Sequence, residues 1–225
     1  MASFIRHGKK IVAIGRNYAA HIKELNNPTP KEPFFFLKPT TSYVTSGGKV
    51  EIPQGIVAHY EVELGLVIGK GGRDISQANA ESHVAGYTLA VDMTARNLQD
   101  KVKKLGLPWS AAKGFDTFTP IGAFIPKTAV TDPHDLRLSL QVNGVTKQDG
   151  STSDMIVRIP GLIEHISSIM TLEEGDVILT GTPSGVGPVV PGDSVLCALK
   201  DAHGKELDTL DFAVVQREGG YKFVE

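Results

Sequence analysis

The stretch "HYEVELG" (59–65) sets two glutamates two residues apart in a segment otherwise built to be buried. In a β-strand, alternate residues share a face. His59, Glu61 and Glu63 then point one way, while Tyr60, Val62, Leu64 and Leu66 form a core face. Two like charges about 6.5 Å apart repel by about 2–3 kcal/mol at a typical effective dielectric. Solvent, a proton, a basic side chain or a metal ion must offset that repulsion.

Outward from this stretch the chain reads mostly as strand. "KIVAIG" (10–15) predicts a buried strand, the strand around 57–68 ends at the glycine turn "GKGG", and "GYTLAVD" (86–92) is another. "LRLSLQV" alternates strictly before "NG" at 143–144, a strong hairpin turn. "GDVILTG", "DSVLCALKD" and "LDTLDFAVV" give three more strands. About four short helices are expected among them. "NYAAHIKEL" (17–25) puts Tyr18, Ile22 and Leu25 on one stripe, and three prolines in "NNPTPKEP" (26–33) end it. "TARNLQDKVKKLG" (94–106) turns Leu98, Val102 and Leu105 inward, with Gly106 as its cap. Pro160 opens a helix through Met170 with Ile163, Ile166 and Ile169 at core spacing. The mixture is irregular, so a doubly wound fold or barrel is excluded and a strand-rich α+β class expected.

The 225 residues, 41% hydrophobic and 21% charged, suit one good-sized domain or two small ones. A net charge of −2 without a basic run offers nothing to nucleic acid. The single cysteine, Cys197, forms no intrachain disulfide, and no apolar run approaches a membrane span. The basic start "MASFIRHGKK" is short for a transit peptide and wrong for a secretory signal.

Asp92 ends an apolar strand where the chain turns into a helix. An aspartate there often caps the helix, but Thr94 can cap equally well and leave Asp92 free. Three carboxylates at strand ends make an all-oxygen site for a hard divalent cation such as Mg²⁺ or Mn²⁺. His59 invites a rival, an iron site of histidines and carboxylates, but the other histidines show no metal-ligand spacing. His21 and Glu24, at i and i+3, can meet as an oriented base on a short lid helix, or stand as a surface pair. Arg16, Lys38 and Lys113 sit in apolar or small-residue company, where they either snorkel to the surface or bind a carboxylate substrate together. "LTGTPSGVG" (179–187) lacks the lysine of a nucleotide loop, yet its amides and the Thr182 hydroxyl can receive an anionic oxygen.

"GRNYAAHIKEL", "FLKP", "HYEVELG", "DMTARNLQD", "KLGLPWSAAKGFDTF" and "EEGDVILTGTPSGVG" follow one another over about residues 10 to 190. In that order they resemble the fumarylacetoacetate hydrolase superfamily. The nearest group within it comprises acylpyruvases, oxaloacetate decarboxylases and oxaloacetate tautomerases. The resemblance implies a mixed β-sandwich roll with a few short helices, one catalytic domain over 1–225 with a tail at 1–9, and a homodimer. It implies Mg²⁺ or Mn²⁺ on Glu61, Glu63 and Asp92, a lid dyad of His21 and Glu24 that activates water, and Lys113 and Gln99 facing the substrate. Arg16, Lys38 and Thr182 would help hold the substrate's carboxylate and the glycine-rich loop. The expected substrate is a small 2-oxo acid in a mitochondrial setting, with a cytoplasmic one also open. The separate N-terminal domain of fumarylacetoacetate hydrolase itself is not found, which argues against the tyrosine-degradation reaction. Two rivals are an isomerase or decarboxylase of aromatic-catabolism diacids and a catalytically inactive binding protein.

Overall fold

The computed structural model describes residues 4–24 and 30–224, the His21 side chain excepted. Its centre is the strand Val62–Ile68, buried at every position. Val62, Leu64, Leu66 and Ile68 face the main core, and Val67 faces a second apolar cluster on the other side of the sheet. This strand lies between Val177–Leu179 and Val84–Val91, both antiparallel to it. The sheet continues through Ile11–Gly15 to an edge at Phe34–Lys38, and on the other side through Thr119–Ile121 to Tyr43–Thr45. Ile125–Pro126 also pairs with Val84–Val91 and completes eight strands.

A five-stranded sheet shares the main core. Its order is Val145–Ser151, Arg137–Val142, Ser194–Lys200, Glu206–Gln216 and Gly48–Ile52, the last pair parallel. The expected hairpin opens it: Asn143 and Gly144 both take positive φ (51° and 77°), as a two-residue primed turn requires. Leu138, Leu140, Cys197, Leu199 and Leu210 face the large sheet's core residues and are fully buried. The strand-rich, mixed architecture agrees with the expected class.

Two expectations are corrected. The stretch 57–68 is not one strand. Ala58–Tyr60 pairs with Gly187–Val189 and Thr94–Ala95 in a three-stranded sheet, Val62–Ile68 joins the large sheet, and Glu61 is the joint between them. Six short α-helices, not about four, occur among the described residues. The helix Phe4–His7, within the tail expected at 1–9, buries Phe4 in the second apolar cluster.

Two stripe residues were also misplaced. The helix Arg96–Lys104 buries Leu98 and Val102, but Leu105 is 63% exposed. The helix outruns the core it packs on, and residues 103–108 are exposed throughout. It ends in a Schellman motif: Gly106 N–H donates to Lys103 and Leu107 N–H to Val102, with Gly106 at φ 66°. Ile159–Ile169 likewise buries Ile163 and Ile166 but leaves Ile169, its last residue, 59% exposed.

Gln148 ties the joint to the glycine-rich loop. Its buried amide accepts from Val62 N–H at 2.9 Å and donates to the Thr182 hydroxyl and Pro183 carbonyl, both at 2.9 Å. Gln148→Leu keeps the volume but leaves a buried N–H unpaired. It should lower unfolding stability by about 1–3 kcal/mol, read as a shifted urea midpoint at unchanged slope. A change under about 0.5 kcal/mol would show that the bracket is dispensable.

Candidate metal centre and active-site pocket

Glu61, Glu63 and Asp92 converge, with one ligand atom from each lying within 4.8 Å of the others. All three are buried. Glu61 reaches the site from the joint and Glu63 from the second position of the central strand. Asp92 follows directly on the neighbouring strand Val84–Val91, and its N–H donates to the Glu61 carbonyl at 2.8 Å. Among the described residues no other group of three or more His, Cys, Asp or Glu side chains could hold an ion.

Buried cations answer the carboxylates. Lys38, 1% exposed, donates to Asp92 Oδ1 and to the Phe118 carbonyl at 2.7 Å. Lys113 bridges Asp92 Oδ2 at 2.5 Å and Glu61 Oε2 at 3.0 Å. Arg96 donates to Glu61 Oε1 and to Gln99 Oε1, both at 2.6 Å, and Thr94 adds a hydroxyl to Glu61 Oε1 at 2.9 Å. Glu63 differs, because Oε2 takes the Gly181 N–H at 2.7 Å and no cation touches it among the described residues.

The electrostatics follow the contacts. Burial, then the charges of Asp92 and Glu61, push the Glu63 carboxyl well above the usual carboxylate range. Burial works against the charge on Lys113, but Asp92 and Glu61 outweigh it and raise its pKa. For Lys38 burial wins and lowers the pKa, although Asp92 opposes it. Burial and the adjacent Arg96 lower His59 to about 4, so its neutral ring accepts Arg96 Nε–H at 3.3 Å. His59 stands outside the group of converging ligand atoms formed by Glu61, Glu63 and Asp92.

A pocket opens over the triad. Arg16, Gln99, Lys113 and Thr182 all line it, together with Phe36, Trp109 and Ile14. Arg16 takes φ 58°, a left-handed turn out of its strand, and its guanidinium lies 5.5 Å above the Phe34 ring. Trp109 packs edge-on against Phe34 with centroids 5.5 Å apart. Thr182 is at the wall, but its hydroxyl is already given to the Val62 carbonyl at 2.7 Å. Lys38 is not at the wall and lies behind Asp92, where it fixes a carboxylate.

The backbone of His21 lies in the helix Ala19–Glu24, and its side chain is outside the described residues, as is Leu25. Glu24 accepts the Gly185 N–H at 3.0 and 3.2 Å, which joins this helix to the glycine-rich loop. Neither Asp92 nor Thr94 caps the following helix: its N-cap is Ala95, without a side-chain bond. Sequence reasoning passed over Arg96, Trp109 and Gln148. Arg96 carried a legible signal, since a cation in the first helical turn opposes the helix dipole and asks for another reason to be there.

The family model "Fumarylacetoacetate (FAA) hydrolase C-terminal" matches residues 10–215. A Dictyostelium discoideum protein named "Oxaloacetate decarboxylase, mitochondrial" is 53% identical, over 97% of this chain and 99% of its own. An Arabidopsis thaliana "Oxaloacetate tautomerase FAHD1, mitochondrial" is 56% identical over 86% and 87%. Among solved structures, a fumarylpyruvate hydrolase from Pseudomonas aeruginosa in complex with Mn²⁺ and pyruvate superimposes with a TM-score of 0.85. It is 37% identical, over 93% of this chain and 91% of that one.

The raised Glu63 pKa gives a pH prediction. A buried acid that prefers its proton supports the apo fold below the ordinary carboxylate pKa. It loses that support as pH rises through its raised value. A bound ion must displace the proton, so affinity for Mg²⁺ or Mn²⁺ should rise with pH over that window. Calorimetry in two buffers of different ionisation enthalpy should register proton release, and proton-neutral binding would refute this.

Proposed function

The chain belongs to the fumarylacetoacetate hydrolase C-terminal family, and on that premise we propose that it is a metal-dependent enzyme of small 2-oxo acids. The reading covers keto–enol tautomerisation of oxaloacetate, its decarboxylation, and hydrolysis of acylpyruvates. The observation that carries it is the buried triad Glu61, Glu63 and Asp92 beneath an open pocket. The names of close relatives support the oxaloacetate part. Their mitochondrial names support the same compartment, and the family suggests a homodimer.

The donor set fits a hard divalent ion. All three ligands are carboxylates, cations and N–H groups already orient them, and an oxygen of Glu63 has no partner among the described residues. Mg²⁺ or Mn²⁺ there supplies the Lewis acidity that makes bonds beside a ketone labile. The chain's own groups do the rest. Lys113, held charged by two carboxylates, is placed to stabilise negative charge developing on the substrate's keto oxygen. Arg16 and Gln99 offer donors to the substrate's carboxylate from the pocket wall. His21, oriented by Glu24, is the base that takes a proton from water for hydrolysis.

Negative charge developing on the same keto oxygen is common to three outcomes. A proton lost from C3 and returned to oxygen gives the enol. Loss of CO₂ from oxaloacetate, followed by uptake of a proton at C3, gives pyruvate. Attack of water on a 3-acyl group releases pyruvate and a carboxylic acid. Lys38 and Thr182 serve this chemistry indirectly, by fixing Asp92 and the loop next to the central strand.

Purified protein with Mg²⁺ or Mn²⁺ should turn over oxaloacetate and acetylpyruvate, and exhaustive chelation should abolish both activities reversibly. Full activity after chelation would sink the reading. The lid residue should separate the chemistries. His21→Ala is expected to cut acetylpyruvate hydrolysis by about 10²–10⁴, the usual worth of a positioned base, and oxaloacetate turnover by less. Equal losses in a folded, metal-loaded variant would make His21 a structural residue of the lid helix.

A further inference from the structure

The pocket has two unlike walls. The helix Arg96–Lys104 turns Arg96, Gln99 and Lys103 toward it, at i, i+3 and i+7 on a single helical face. Phe36 and Trp109, packed at 5.5 Å and joined by Ile14, form the apolar wall.

The inner cations are tied to the site's own carboxylates. Lys38, Lys113 and the part-buried Arg96 pair directly with Asp92 and Glu61. Arg16 lies over Phe34 at the far side of the pocket. Lys103 is different: it is exposed, lines the pocket, and its ammonium makes no ion pair or hydrogen bond among the described residues. It stands seven residues beyond Arg96, about 10 Å along the helix axis and so toward the mouth.

We propose that Lys103 is the subsite for the second carboxylate of a 2-oxo dicarboxylate, with the Phe36–Trp109 wall receiving the uncharged end of an acylpyruvate. The inference rests on the functional reading above and names what that reading leaves open, the group that tells the two substrate classes apart. A substrate whose 2-oxo acid end sits at the triad must leave its remaining end further out. If that end is charged, it needs a cation not already paired within the site, because an unpaired carboxylate against an aromatic wall loses its hydration without replacement. Lys103 supplies that cation on a flexible stem. An acetyl group asks for nothing polar and gains by covering Trp109.

The test measures kcat and KM of the Mg²⁺-loaded protein on oxaloacetate and acetylpyruvate, for wild type, Lys103→Ala and Lys103→Arg, at low and high salt. Lys103→Ala should raise KM for oxaloacetate about tenfold, as expected for loss of one charged hydrogen bond, and should raise that for acetylpyruvate far less. Lys103→Arg should restore most of the preference, and salt should shrink it in wild type. Equal effects on both substrates, or none, would overturn the inference while leaving the functional reading intact. Turnover of neither substrate by wild type would overturn that reading and this inference with it.

Discussion

Three carboxylates gathered within 4.8 Å inside a protein are tolerable only with positive charge beside them, and the arrangement of that charge organises much of this fold. The three cations come from separate places. Lys38 ends an edge strand, Arg96 begins one helix and Lys113 ends another. Each must arrive at the central strand pair for the carboxylates to be buried at all. Removing one partner would leave an uncompensated charge, worth about 3–5 kcal/mol in comparable buried pairs. The site therefore fastens the end of one strand and two helices to the carboxylates of the central strand pair.

The break at Glu61 follows from the same constraint. Along one regular strand, Glu61 and Glu63 would stand side by side on one face, about 6.5 Å apart. Changing sheets at Glu61 lets its carboxylate approach from the three-stranded sheet while Glu63 stays in the large one. The backbone at the joint keeps its partners: Asp92 donates to the Glu61 carbonyl, Gln148 accepts from Val62, and Thr182 donates to the Val62 carbonyl. Gly181 completes the setting at φ 98°, a conformation where a Cβ would come within 2.9 Å of Asn17.

Much of this was legible in the sequence, because period and parity are local. Alternation placed Leu64 and Leu66 in the core correctly, the "NG" turn was found from residue types, and the acid triad was singled out by residue types together with the family resemblance. What failed was long-range. Leu105 and Ile169 continue their helical stripes, but nothing local says that the core ends before they do. Lys38 read as a pocket cation because its neighbours are apolar. Only the pairing of its strand reveals that it lies behind Asp92. Arg96 was the opposite case: its unfavourable place at a helix start was visible, and its reason lay 35 residues away in Glu61.

Within the triad the compensation is uneven. Glu61 touches two cations and a hydroxyl, and Asp92 touches two lysines, while Glu63 has one backbone N–H among the described residues. This asymmetry explains why Glu63 has the carboxyl driven upward by burial and by its neighbours' charges. A divalent ion shared by the triad would correct the imbalance where it is largest and leave the existing pairs in place. The protein cations then orient ligands and do not replace the ion. The carboxyl of Glu63, without a cation among the described residues, is what would distinguish a cation site from a closed network of salt bridges.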